Sequence, residues 1–75
     1  MTKAQTRQLL IEAAIDRMTE YLIADFQLDT LAAMNFIYNS DTINLLQNGK
    51  TGLYYQSPAY VYELLKREYL TGKVS

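Results

Sequence analysis

Residues 2–26 read TKAQTRQLLIEAAIDRMTEYLIADF, a stretch that contains neither Gly nor Pro. Its large apolar side chains recur at the spacing i, i+4, i+7, i+11 and i+15, which is typical of one face of an α-helix. On a helical wheel they fall within an arc of about 80°, and acidic side chains lie on the other side. The pattern predicts a long amphipathic helix whose inner face is formed by Ile11, Ile15, Met18, Leu22 and Phe26.

Two short helices are predicted to follow the first. Asp29 can accept hydrogen bonds from free backbone N–H groups, and it therefore marks the start of a helix that runs to about residue 38. Ser40 can cap a third helix in the same way, and we expect that helix to extend through Gln47. The pair Asn48-Gly49 is typical of a left-handed ending, so it predicts the end of the third helix.

The second of these helices carries apolar side chains all round. Leu31, Met34 and Tyr38 share one side, and further apolar residues cover the rest. A helix that is apolar on every side is typically buried on several faces. We therefore expect the second helix to lie at the centre of the fold, with the first and fourth helices packed around it.

The last third of the chain begins with a turn at Gly52. Residues 50–56 are predicted to form this turn and then an extended segment laid across the helices. Ser57-Pro58 predicts the start of a fourth helix, because Ser caps the end and Pro at the first position lacks only an N–H without a partner. The fourth helix is expected over residues 58–71, with an inner stripe formed by Val61, Tyr62, Leu65 and Tyr69.

The expected fold is a single all-α domain over residues 1–75, a compact bundle of three to four helices. A chain of this length builds a core that is only just large enough for stability, so association of copies would help it to stay folded. Leu9 and Ile23 fall outside the apolar stripe of the first helix. They are either single exposed apolar residues, which are common on protein surfaces, or part of a second contact surface. If copies of the chain associate, we predict that Leu9 and Ile23 form the self-association contact.

The chain contains neither Cys nor His. Without Cys there are no disulfides and no thiolate sites, and without His the commonest general base and metal ligand is missing. Glu12, Asp16 and Glu20 share one helix face and are expected to be solvated, while Glu68 lies one turn from a helix end, where it is expected to reach water. We therefore predict no enzymatic activity, no cofactor and no metal site.

The net charge of −1 gives no general attraction to nucleic acid. The longest uncharged stretches, residues 30–40 and 51–62, are shorter than the roughly 20 apolar residues of a membrane-spanning helix. No apolar signal core precedes Glu12. These features predict a cytoplasmic protein without a membrane segment.

Residues 42–50, TINLLQNGK, look like the end of the recognition helix in repressor-type helix-turn-helix proteins, so DNA binding is the alternative function. A helix that reads DNA needs donors for phosphates and base edges. Residues 40–48 contain no Lys or Arg, and Asp41 would repel phosphate. Nucleic acid is therefore the less favoured partner.

Seven tyrosines in so short a chain are its most unusual feature. The tyrosine ring with its polar tip suits both the edge of a core and a recognition surface. On the wheel of the fourth helix, Tyr60 lies about 160° away from Tyr62, so the two cannot share a face. We predict that Tyr62 is buried and that Tyr60 joins Tyr54 and Tyr55 in an exposed patch that binds a protein partner.

Residues 51–65 read TGLYYQSPAYVYELL. The region from residue 40 to residue 68 resembles a family of short uncharacterised bacterial helical proteins with the pattern T-G-L-Y-x-x-S-P-x-Y-V-Y-E-x-L. The resemblance implies no particular activity. Members of this family are encoded beside toxin-like or other accessory genes, and this implies a protein partner. The expected function is a small non-enzymatic protein–protein interaction module or regulator, of an antitoxin-like kind.

Overall fold

The computed structural model describes residues 2–72, and within them the chain is helical, without a β-strand. The α-helices are α1 (Lys3–Phe26), α2 (Thr30–Tyr38), α3 (Asp41–Gln47) and α4 (Pro58–Thr71). Two single-turn 3₁₀ helices, Gly49–Thr51 and Leu53–Tyr55, connect α3 to α4. The predicted all-α bundle is confirmed, with a radius of gyration of 11.9 Å.

Each predicted helix start carries the expected cap. The side chains of Asp29, Ser40 and Ser57 accept hydrogen bonds from backbone N–H groups in the first turns of α2, α3 and α4. Thr2 and Gln5 cap α1 reciprocally, because each side chain binds the backbone N–H of the other. These local bonds satisfy donors that a helix leaves free at its start.

The core lies along the predicted apolar stripe of α1. Ile11, Ile15, Met18 and Leu22 are buried, and they meet the buried Val61, Tyr62 and Leu65 of α4. Because α1 packs most extensively against α4 and also against α2, it is α1 that occupies the centre. The prediction that α2 would be central is therefore wrong.

Only one side of α2 is buried. Ala33 and Ile37 are fully enclosed, whereas Leu31, Met34 and Tyr38 on the opposite side are exposed. The reason lies in the size of the bundle, since α2 packs mainly against α1 and α3. Its Phe36 also meets Tyr69 of α4, with ring centroids 5.1 Å apart. Nothing in residues 2–72 covers the outer side of α2. An apolar helix surface therefore faces solvent.

The segment between α3 and α4 is more compact than predicted. Asn48, rather than a left-handed Gly49, ends α3 in an extended conformation, and the left-handed residue is Gly52, with φ 67°. Residues 53–55 form a 3₁₀ turn rather than an extended segment. The Thr51 hydroxyl holds the segment in place, because it lies 2.7 Å from the carbonyl oxygen of Leu45 and accepts a hydrogen bond from the Leu53 N–H.

The expectation that Glu68 reaches water is also wrong. Its side chain is buried, with 9% of the residue exposed. Both carboxylate oxygens accept hydrogen bonds from the first residues of α3, Asp41 and Thr42. The buried charge is thus balanced by donors on a neighbouring helix.

Candidate interaction surfaces

The predicted tyrosine patch is brought together in part. Tyr54 and Tyr55 stack on one another, with ring centroids 4.3 Å apart and an interplanar angle of 34°. Tyr55 is 73% exposed and Tyr60 is 53% exposed. Tyr54 is only half-exposed, because its ring also packs against the core, so the prediction of an exposed Tyr54 holds in part. Tyr60 takes part in no ring contact among residues 2–72, so the structure pairs the first two tyrosines and leaves the third by itself at the start of α4.

A groove of about 440 Å³ lies beside the stacked tyrosines, where the first two turns of α1 meet the second 3₁₀ turn. We call it the basic–aromatic groove, and it is lined by Lys3, Ala4, Thr6, Arg7, Tyr54 and Tyr55. Its two cations, Lys3 and Arg7, are not among the site residues predicted from the sequence. Their i, i+4 spacing on one helix face, in a segment without acidic residues before Glu12, was the signal available.

The cations of this groove have no acidic partner in the part of the chain that the structure describes. The ion pair described within residues 2–72 joins Arg17 to Glu20 at 3.7 Å, and neither Lys3 nor Arg7 takes part in one. Hydrogen bonding to Tyr55 raises the pKa of the Tyr54 phenol, and the nearby positive charge of Arg7 acts in the opposite direction. The groove therefore carries uncompensated positive charge next to two phenols.

The guanidinium of Arg7 lies close to Gly49, the first residue of the 3₁₀ turn after α3. A Cβ atom on Gly49 would lie 2.6 Å from Nη1 of Arg7, closer than real Cβ atoms approach other atoms. A side chain at position 49 would therefore displace the end of the flexible Arg7 side chain. Gly49 does not have a positive φ, so its role here is to provide room.

A second surface lies on α2. Leu31, Met34 and Tyr38 follow the spacing i, i+3, i+7 and point away from the buried Ala33 and Ile37. We call these three residues the α2 stripe. Leu31 is 70% exposed and Tyr38 is 55% exposed, and no residue of α2 is charged.

The predicted self-association residues do not form one patch. Leu9 is 53% exposed, but Ile23 is half-buried and packs against the core. They are fourteen positions apart on α1, which corresponds to about 21 Å along a helix axis. Self-association through these two residues stays a prediction, and each of them would contribute to it separately.

Carboxylates do not converge into a site in the described part of the chain. Glu12, Asp16 and Glu20 are exposed on α1, as expected of a solvated face, and no group of three or more acidic side chains could hold a metal ion within residues 2–72. Asp25 instead accepts a hydrogen bond of 2.6 Å from the hydroxyl of Tyr62. Burial of the phenol is the main cause that raises the pKa of Tyr62, and this hydrogen bond raises it further.

No helix within residues 2–72 is long and apolar enough to cross a membrane.

The geometry of α3 weighs against its use as a DNA-reading helix. Its first N–H groups, which could otherwise face a phosphate, are bound by the carboxylate of Glu68. Thr42, Ile43 and Leu46 are buried. The side chains that α3 does expose include Asp41 and no Lys or Arg.

No family model, curated protein or solved structure matches this chain. The resemblance of residues 40–68 to the family of short bacterial helical proteins therefore stays a prediction.

Proposed function

We propose that this protein is a non-enzymatic interaction module that binds a protein partner through the α2 stripe. The observation that carries the proposal is the exposure of Leu31 and Tyr38 on an uncharged helix, directly opposite its buried side. Nine large apolar side chains are exposed within residues 2–72, and three of them lie together on this one side of α2. Exposed apolar side chains that lie together, and not singly, are typical of an interaction surface.

The chemistry of the α2 stripe suits a helix-binding surface. Its i, i+3, i+7 spacing is that of a helix that presents one apolar ridge to a partner. Burial of an exposed leucine contributes about 1.5–3 kcal/mol, and tyrosine is enriched among the residues that dominate binding energy. Because no charge has to be desolvated along α2, most of this energy is available for association.

The hydroxyl of Ser40 and the carboxylate of Glu68 support a role other than catalysis, because both groups are already bound within the fold. The Ser40 hydroxyl donates to the carbonyl of Ile37 at 2.6 Å and accepts from the N–H of Ile43, so it is engaged in holding α3. Glu68 is similarly occupied by donors of α3. The resemblance of residues 40–68 suggests that the partner-bound protein acts as a regulator of an antitoxin-like kind.

Affinity purification from the native host tests the proposal. The bait is the full chain, compared with the double variant Leu31→Ser/Tyr38→Ser and with Leu70→Ser as a matched control, because Leu70 is similarly exposed but lies on α4, outside the α2 stripe. We expect a stoichiometric protein partner with the parent and with Leu70→Ser, and at least about a tenfold loss with the double variant. Circular dichroism checks that each bait is folded.

The proposal is wrong if the double variant retains the same partner as fully as the parent does. It is also wrong if duplex DNA is retained in a salt-dependent manner that Lys50→Ala abolishes, since that result would favour the DNA-binding alternative.

A further inference from the structure

We infer that the basic–aromatic groove binds an acidic, extended segment of a protein, and that Arg7 receives one of its carboxylates. The site is separate from the α2 stripe, so this inference does not depend on the function proposed above. It rests on the placement of Arg7, on the position of two cations in α1 and on the tyrosine wall.

Arg7 has no ion-pair partner within residues 2–72. Its exposed guanidinium lies beside Gly49 and close enough to Tyr54 to affect the pKa of the phenol. A guanidinium presents a planar fork of donors that matches a carboxylate with two hydrogen bonds. The charge of Arg7 is therefore available to an anionic ligand that enters the groove.

The two cations of the groove do not stabilise α1. Lys3 lies in its first turn and Arg7 in its second, and positive charge near the start of a helix is disfavoured by the helix macrodipole, most strongly in the first turn. The first turn of α1 contains no acidic residue that would balance them. An anionic ligand would offset this unfavourable arrangement.

The spacing of the cations indicates the form of the ligand. Side chains at i and i+4 of a helix have Cβ atoms about 5–6 Å apart. In an extended peptide, side chains at alternate positions point the same way and are about 7 Å apart. Lys3 and Arg7 can therefore take two carboxylates separated by one residue, with Thr6 between them offering a hydroxyl.

Tyr54 and Tyr55 form the other wall of the groove. The exposed ring of Tyr55 offers an apolar platform for the aliphatic parts of a bound segment. The volume of about 440 Å³ is within the usual range for ligand pockets, about 300–1,000 Å³. A groove with positive charge on one wall and aromatic rings on the other is suited to binding an acidic peptide.

Single-stranded nucleic acid fits this groove less well. The two tyrosine rings already cover one face of each other, which leaves fewer faces for base stacking. A nucleic acid also brings a charge for every nucleotide, whereas the groove supplies two cations and the chain has a net charge of −1. A segment with two carboxylates matches the charge of the groove.

The test is an NMR titration of the ¹⁵N-labelled full chain with the peptide Gly-Glu-Tyr-Glu-Gly. Comparison ligands are Gly-Gln-Tyr-Gln-Gly, a short oligothymidylate and inorganic phosphate. We expect saturable shifts at the Arg7 side-chain N–H and at the amides of Tyr54 and Tyr55, and weaker shifts with every comparison ligand. Arg7→Gln should weaken binding at least about tenfold.

Two further variants distinguish a loss of peptide binding at the groove from a loss caused by unfolding. Gly49→Ala should displace the Arg7 guanidinium and weaken peptide binding, while Arg17→Gln, which removes a cation elsewhere on α1, should leave binding unchanged. The inference is overturned if the acidic peptide produces no saturable shift or if the glutamine peptide binds equally well. Tighter binding of oligothymidylate or phosphate than of the acidic peptide also overturns it.

Discussion

Glu68 binds Thr42 twice, because one carboxylate oxygen accepts both the backbone N–H at 2.9 Å and the side-chain hydroxyl at 2.8 Å. The other oxygen accepts the N–H of Asp41 at 2.7 Å. Ser40 caps the next free N–H of the same helix, that of Ile43. A negative group is favourable at the start of α3, because the free N–H groups of the first turn point out of the helix at this end. The carboxylate thus fixes α4 against the start of α3.

Replacement of Glu68 by Ala should destabilise the fold by about 3 kcal/mol, because three donors, two of them buried, lose their acceptor together. Glu68→Gln should have a smaller effect, since it retains one acceptor oxygen and most of the volume. Urea denaturation followed by circular dichroism measures both changes. Glu63→Ala, an exposed glutamate on the same helix, is the control. If Glu68→Ala costs no more than Glu63→Ala, the capping role is wrong.

The hydrogen bond from Tyr62 to Asp25 predicts a loss of stability in alkali. Burial and the Asp25 carboxylate raise the pKa of Tyr62 above the ordinary value of about 10. A group whose pKa is higher in the folded state stabilises that state fully below its unfolded pKa. The contribution is then lost as the pH rises from about 10 toward the folded pKa. The thermal midpoint should therefore fall above about pH 10.

Tyr62→Phe isolates this effect, because phenylalanine keeps the ring and removes the ionisable group. At neutral pH the variant should lose about 1 kcal/mol with the hydrogen bond. Above pH 10 its midpoint should fall less steeply than that of the parent. Tyr38→Phe, at an exposed tyrosine, should retain the parent slope. Equal slopes for the parent and Tyr62→Phe would show that Tyr62 does not carry the alkaline effect.

Truncation of Tyr62 and Tyr60 should separate the two faces of α4. Tyr62 is buried and its ring centroid lies 4.9 Å from that of Tyr21, whereas Tyr60 is exposed. Tyr62→Ala should destabilise the fold by about 3 kcal/mol, the scale for a large buried aromatic side chain. Tyr60→Ala should leave the thermal midpoint almost unchanged. Thermal melts in which Tyr60→Ala unfolds the protein and Tyr62→Ala does not would reverse this assignment.

The parts of the fold that depend on local chemistry could be predicted from the sequence. The apolar spacing of α1 and the caps at Asp29, Ser40 and Ser57 all involve residues within a few positions of one another. The environment of Glu68 could not be predicted, since its partners lie 26 and 27 positions away. A wheel also cannot show which side of an apolar helix finds a neighbour, and for this reason the exposure of the α2 stripe was missed.

The basic–aromatic groove was not predicted, although two of its tyrosines belong to the predicted patch. The stacked Tyr54 and Tyr55 are adjacent in the chain, so a cluster of aromatic residues was visible in the sequence. Lys3 and Arg7 come from the opposite end of the chain, and only the packing of α1 against the second 3₁₀ turn brings them beside the tyrosines. Local patterns identified one wall of the groove, and tertiary structure supplied the other.

Alanine substitutions at Gly49 and Gly52 should have different effects. Gly52→Ala should mainly lower stability, and Gly49→Ala should mainly change the groove. Gly52 has φ 67° with no atom within 4 Å of an added Cβ, so Gly52→Ala should destabilise the fold by about 1 kcal/mol through backbone strain alone. At Gly49 the added Cβ meets the end of a flexible side chain, so Gly49→Ala should change stability less and move Arg7 instead. Urea denaturation measures the first effect, and the NMR shift of the Arg7 side-chain N–H measures the second. A large loss of stability in Gly49→Ala with an unchanged Arg7 signal would show that Gly49 is required by the backbone and not by Arg7.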